Sequence, residues 1–184
     1  MRQPPGHDGQ FDRWVAEHVE VLYRVAFRLL GDPHDAEDVV QDAFRSAWVS
    51  RHRFDPERSE RAWLLAILRR RAADHWRRTD GRQQPATDRM TEQAAPADPD
   101  PFSDELSAVL QRALDVLPRE LRETLLLVVV GGLTHQEAAD LLSVPLGTVL
   151  SRVSRARGRL REMLLAATDG HVAAASARRG RSHE

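Results

Sequence analysis

The 184-residue chain has no cysteine, and its basic residues include no lysine. The first absence excludes disulfides, thiolate metal sites and thiol nucleophiles together. The second makes all 27 basic residues arginine, a bias that a GC-rich genome also produces. Long apolar runs are missing as well. Runs such as Leu125–Val130 fall far short of the roughly 18 residues a membrane span needs, so no direct membrane insertion is expected. The first ten residues, MRQPPGHDGQ, carry no apolar core of the kind a secretory signal requires. A cytoplasmic location is therefore the expectation. No segment alternates apolar and polar residues as a half-buried strand would.

What is present fits a folded chain: 41% hydrophobic and 30% charged residues, in a length that suits one ordinary domain or two small ones. The formal net charge of −1 argues against nucleic acid only until its distribution is read. Residues 1–60 hold twelve acids and eight arginines, whereas residues 61–82 hold seven arginines and two acids. Residues 147–161 hold five arginines and no acid. One acidic stretch and two basic stripes point to partners of both signs.

Two helical segments flank residues 80–102, which contain four prolines and little apolar content and read as a flexible linker. In the first segment, Trp14, Val15, Val19, Leu22, Val25, Ala26 and Leu29 recur at helical spacing from Phe11 to Leu30, with Gly31 as the stop. Asp32-Pro33 reads as an N-cap and first helical position for a helix to about Val49. A loop around Phe54-Asp55-Pro56 precedes a third helix, roughly 60–78. The second segment reads as four helices near 103–117, 118–130, 135–142 and 146–167, with Thr134-His135-Gln136-Glu137 forming a capping box. Residues 168–184 read as a disordered tail. The expected architecture is all-α, with a three-helix domain over 11–79 and a four-helix domain over 103–167.

Residues 133–164 carry a helix-turn-helix pattern: a short capped helix, a turn at Ser143-Val144-Pro145 and a longer helix. In the longer helix Val149, Val153, Ala156, Leu160 and Met163 form the apolar stripe. Thr148, Leu150, Ser151, Arg152, Ser154, Arg155 and Arg159 are left for the outer faces. Arginine and hydroxyl side chains at a helix N-terminal half suit readout of base edges in a major groove. The bland alternative is a solvated arginine-rich helix, but such a face normally interleaves acids, and none occurs here before Glu162.

This segment resembles the C-terminal promoter-binding domain of bacterial sigma factors, particularly the extracytoplasmic-function (ECF) group. The resemblance is carried by Leu133-Thr134, Gln136-Glu137, Ala139, Gly147-Thr148-Val149, Ser151-Arg152 and Arg157 to Glu162. It implies that the longer helix reads the −35 promoter element. Leu150 departs from the family pattern, where a basic residue is usual, and favours a thymine methyl over a phosphate or guanine.

The first segment extends the likeness. Asp35 to Phe44, DAEDVVQDAF, resembles the sigma-family helix that docks on the clamp of the largest polymerase subunit, which implies Asp35, Asp38, Gln41 and Asp42 as core-polymerase contacts. On the residues alone, Asp38, Gln41 and Asp42 share one helical face and offer acids and an amide to a basic partner. Asp35, Glu37 and Asp38 can equally be read as complementing a helix N-terminus. The stretch from Phe54 through Arg61-Ala62-Trp63-Leu64 to Trp76-Arg77-Arg78 resembles the segment that recognises and opens the −10 element. It implies DNA roles for Phe54, Arg61, Arg69, Arg70, Arg77 and Arg78, with Phe54 near the flipped base. Opening DNA needs a surface for an unpaired base and positive charge along the displaced strand. Trp48, Trp63 and Trp76 read as core residues before stacking platforms.

The likeness covers about residues 11–79 and 103–165. It implies a sigma factor that is not an enzyme and takes no cofactor. Its implied partners are core RNA polymerase, promoter DNA and an anti-sigma factor. Elements about seventeen base pairs apart lie ~58 Å from each other at ~3.4 Å per pair. A relaxed 23-residue coil spans only about 25–30 Å, so the linker must be stretched, with the polymerase preorganising both domains. The alternative is a stand-alone helix-turn-helix regulator acting without polymerase. A metal enzyme is the third class; eight histidines are present but scattered without paired ligand spacing, and no metal site is expected.

Overall fold

The computed structural model describes residues 7–80 and 101–180, with side chains over 9–79 and 107–167. In chain order the helices are α1 (His7–Leu30), α2 (Pro33–Ser50), α3 (Glu60–Asp80), α4 (Pro101–Val116), α5 (Arg119–Val129), α6 (His135–Leu142) and α7 (Leu146–Gly180), with a 3-10 turn at Arg51–Arg53. No strand occurs among the described residues. The all-α expectation holds, with three helices before the proline-rich stretch and four after it. Of the flexible linker expected over 80–102, residues 81–100 lie outside the described residues, as do 1–6 and 181–184.

Local signals account for the breaks. The Asp32 carboxylate accepts from the backbone N–H of His34 and Asp35 at 2.9 and 3.0 Å, and Pro33 opens α2. Thr134 and Glu137 cap α6 reciprocally: the Glu137 carboxylate accepts from the Thr134 N–H at 2.8 Å, and Thr134 Oγ1 accepts from the Glu137 N–H at 3.2 Å. The Thr134 backbone N–H is the main reason the Glu137 carboxyl is held below its usual range, despite the opposing effect of burial. The turn between α6 and α7 places Ser143 in the left-handed region at φ 55°, and the Val144 N–H closes the helix end on the Ala139 carbonyl at 3.1 Å.

Buried residues follow the helical period. In α2 they are Pro33, Ala36, Val39, Val40, Ala43, Phe44 and Ala47, and in α7 Val149, Val153 and Ala156, with Leu160 and Met163 packed against them. In α1 one member of the expected stripe fails: Val19 is 40% exposed, and His18, only 6% exposed, takes the buried position beside Val21 and Leu22. Helix α7 also continues past residue 167, where a disordered tail was expected. The extension is rich in alanine over 166–177, the residue with the highest helix propensity.

The two helical groups expected from the sequence also pack on each other and share one continuous core. Leu65 of α3 is fully buried, and its Cδ1 would stand 2.9 Å from a Cβ placed on Gly131, just past α5. Only glycine permits that approach, because the same Cβ would also meet the Leu127 carbonyl oxygen at 2.5 Å. Polar contacts frame the apolar one. Arg69 Nε donates to Glu123 at 2.6 Å. Arg28 donates to the carbonyl and hydroxyl of Ser107 at 3.3 and 3.0 Å and to Gln111 at 3.2 Å. The Arg119 guanidinium lies 4.0 Å from the Trp76 ring centroid.

Two substitutions separate capping from packing. Thr134→Ala should cost about 1 kcal/mol, the usual value for a lost N-cap, whereas Leu68→Ala, at a fully buried position, should cost about 2–5 kcal/mol. Urea midpoints measure both. Equal losses would contradict the assignment of Thr134 to a cap and Leu68 to the core.

Candidate nucleic-acid interface

Helix α2 buries its alanine and valine side against α1 and α3, which turns Glu37, Asp38 and Gln41 outward. Asp38 and Gln41 are exposed, and neither has an ion-pair or hydrogen-bond partner among the described residues. Asp42 is half-buried, accepts from Arg45 at 2.9 Å and lines a groove with Val49, Ile67 and Arg70. Asp35 stands apart from this group. Its carboxylate lies 3.2 Å from His75 Nε2 of α3 and so ties the start of α2 to its neighbour. Of the four expected polymerase contacts, the geometry thus gathers Asp38, Gln41 and Asp42 and gives Asp35 an internal partner.

The expected −10 residues divide in the same way. Arg61, Arg70, Arg77 and Arg78 are exposed along α3, with Arg77 paired to Asp74 and Arg78 Nε 3.4 Å from the Asp74 carbonyl. Arg69 is turned to the other lobe and bound by Glu123. Phe54 belongs to an aromatic cluster, with its ring centroid 5.1 Å from that of Trp14 and 5.2 Å from that of Trp63. Trp14, only 1% exposed, is the most enclosed tryptophan of the four. Trp48, Trp63 and Trp76 are half-buried, and Trp48 carries the Arg51 guanidinium 3.9 Å from its ring centroid.

On α7, Thr148 and Ser151 are half-buried and Leu150, Ser154, Arg155 and Arg159 exposed. Arg155 folds back on the Ser151 carbonyl and hydroxyl at 3.2 and 3.0 Å. Arg152 is held at one edge by Glu120 of α5 at 2.7 Å. The opposite edge holds residues absent from the expected set: Arg157 and Arg161 line a groove with Leu150, Ser154 and His135, the first residue of α6. A signal for them was present, since positions 150, 154, 157 and 161 are spaced four, three and four apart and form one row of a helix.

Glu17, His18 and Glu60 bring one potential ligand atom each to within 4.8 Å of one another. Arg13 already donates to Glu60. The His18 Nε2 stands 3.8 Å from Glu60 Oε2, beyond hydrogen-bond range. Burial, reinforced by the Arg61 charge, lowers the His18 pKa from 6.5, so the ring is neutral at pH 7. Burial alone would raise the Glu60 carboxyl, but the Trp14 indole and the Arg13 guanidinium outweigh it and hold Glu60 low. With a cation already seated on Glu60, the group is an electrostatic tie between α1 and α3.

Two family models match the two lobes: Sigma-70 region 2 over residues 14–82 and Sigma-70, region 4 over residues 107–160. The ECF RNA polymerase sigma factor SigW of Bacillus subtilis is 30% identical over 176 residues, covering 86% of this chain and 91% of that protein. The chain belongs to the ECF group of the sigma-70 family. A second relative, the ECF RNA polymerase sigma factor SigE of Mycolicibacterium smegmatis, is 36% identical over 158 residues, and the match covers 84% of this chain but 61% of that protein. Among solved structures, the sigma factor RpoE in complex with the anti-sigma factor NepR from Bartonella quintana matches with a TM-score of 0.71 and 30% identity, over 84% of this chain and 96% of that one.

The buried imidazole gives this sigma factor a defined pH response. Below pH 6.5 the unfolded chain binds a proton at His18 that the native state resists, so stability falls as pH drops from 6.5 toward the lowered native value. Glu60 and Glu137, whose carboxyls sit below 4.5, lose their contribution only as pH falls below 4.5. His18→Gln should therefore flatten the urea midpoint just below pH 6.5 and leave the steeper acid loss in place. An unchanged slope in that window would assign it elsewhere.

Proposed function

We propose that the chain is a promoter-specificity subunit that binds core RNA polymerase and directs it to start sites defined by −10 and −35 elements. The observation that carries this is the pairing on one chain of region 2 and region 4 matches with faces of opposite charge. The outward row of Asp38, Gln41 and Asp42 is the polymerase contact, with Asp35 positioning α2 against α3. Acids on an exposed helix steer toward and orient a basic partner. Arg61, Arg70, Arg77 and Arg78 follow the backbone at the −10 element, joined by Arg69 once it is released from Glu123. Phe54, packed on Trp14 and Trp63, supports the wall of a base pocket rather than presenting a free ring.

Helix α7 reads the −35 element in a major groove through Thr148, Leu150, Ser151, Arg152, Ser154, Arg155 and Arg159. Leu150, 48% exposed, fits a thymine methyl. His135, Arg157 and Arg161 extend the backbone contact along the adjacent strand. Residues 11–79 and 103–167 are the two working units. The protein acts in the cytoplasm by binding, with no covalent step of its own. No helix among the described residues is long and apolar enough to cross a membrane. By analogy with the Bartonella RpoE–NepR complex, an anti-sigma protein is its inhibitor. The stand-alone regulator is disfavoured, because it leaves the region 2 match over 14–82 without a role.

Reconstitution tests this reading. Added to sigma-free core polymerase and genomic fragments, the purified chain should produce new, discrete transcript starts. The pair of changes Asp38→Ala and Gln41→Ala should weaken association with core by about tenfold or more, equivalent to about 1.4 kcal/mol, without moving the urea midpoint. No new starts, or association untouched by both changes, would overturn it.

A further inference from the structure

Among the described residues, Arg152 is the one arginine of the α7 reading set, with Arg155 and Arg159, that a side chain of another helix holds. Its Nη2 donates to Oε2 of Glu120, the second residue of α5, at 2.7 Å. Arg155 instead folds back on Ser151 of its own helix. The Glu120–Arg152 pair does little to hold α5 and α7 together. The Glu120 side chain is 73% exposed, an exposed pair is weak in water, and both helices already meet through the shared apolar core. Glu120 also complements the N-terminus of α5 as an acid in its first turn, but that role needs no contact with Arg152.

What the pair supplies is orientation. An untethered arginine samples many rotamers and loses that freedom on binding. A single bond to Glu120 restricts the side chain yet takes one of five N–H donors. Nη2 contributes one N–H to each two-donor edge of the guanidinium, so one complete edge is left whichever N–H Glu120 accepts. Such an edge matches O6 and N7 of guanine. The Arg152 side chain keeps 18% of its surface exposed, so its partner does not seal the fork away. Glu120 brings an opposing effect as well. Its charge stands beside the reading face and repels phosphate of any sequence.

We propose that Glu120 is a positioning residue for −35 readout: it presets the Arg152 guanidinium for one guanine of the element, raising base selectivity while lowering general affinity for DNA. The proposal rests on the −35 role of Arg152 given above. It places a specificity determinant on α5, outside the helix-turn-helix formed by α6 and α7. It also separates two kinds of loss. Removing a structural prop lowers selectivity and affinity together, whereas removing Glu120 moves them in opposite directions.

The test uses the full chain assembled with core polymerase and a pool of promoter duplexes randomised across the −35 element, with the retained DNA sequenced. Binding of the chain alone to a fixed non-promoter duplex at low salt gives the general affinity. The parent should enrich guanine at one position where Arg152→Ala abolishes the preference. Glu120→Ala should lower that enrichment by about tenfold, the order a bidentate contact contributes, leave the other positions unchanged, and tighten non-promoter binding a few-fold. Glu120→Gln, which keeps an acceptor oxygen without the charge, should retain most of the enrichment and still tighten non-promoter binding. On an Arg152→Ala background, Glu120→Ala should have no further effect on the base profile. An unchanged enrichment in Glu120→Ala, a flattening at every position, a fall in selectivity and affinity together, or a further loss on the Arg152→Ala background would each overturn the positioning role. With a parent that selects promoter sequences normally, those results leave the sigma-factor reading standing. A parent that retains no promoter sequence with core polymerase would overturn that reading and this role with it.

Discussion

The contact of α3 with α5 and the turn after it is the constraint on which the rest of the architecture depends. It combines a fully buried leucine, a glycine that admits it and an ion pair whose carboxylate is nearly enclosed. Each ingredient has a different physical consequence. The apolar contact removes surface from water without regard to direction. The glycine sets how closely the backbones approach. The ion pair gives one register a large advantage over its neighbours, because any sliding strands Glu123 without a cation in a poorly hydrated place.

Around that contact the charge of the chain is sorted by address. Glu37 and Asp38 are exposed on α2, and Arg70, Arg155 and Arg159 are exposed on α3 and α7, so a near-neutral protein carries charge of both signs on its surface for different partners. The arginines nearest the lobe boundary are compensated internally, while Arg70, Arg155 and Arg159 at the outer edges stay exposed. Such an arrangement tolerates a weak, non-specific approach to DNA while withholding the full cationic surface from it.

Much of this was legible in the residues. Asp32-Pro33 and the Thr134-to-Glu137 box mark helix starts that the structure reproduces, because caps act within four residues and need no distant partner. The α7 stripe of Val149, Val153 and Ala156 was equally clear, since one amphipathic face implies one buried side. The lobe-to-lobe packing was not read, although Trp63-Leu64-Leu65-Ala66-Ile67-Leu68 is more apolar than a single buried face requires. Leu65 was the surplus residue, and it is the one covered by the second lobe. Periodicity assigns a residue to a face but cannot say what lies across from it. His18 was missed for a related reason: an imidazole at a core position is indistinguishable by spacing from a surface one. Asp35 shows the converse, a charge at a plausible docking position that a side chain forty residues downstream claims for itself.

On the proposed function, two weak, separated DNA surfaces become one promoter reader only on the polymerase. Hydroxyl-radical footprinting on a cognate promoter, with the chain alone, core alone and both together, measures it directly. Protection at both elements is expected only in the combined sample. Equal protection by the chain alone, or protection of a palindromic site without polymerase, would contradict it.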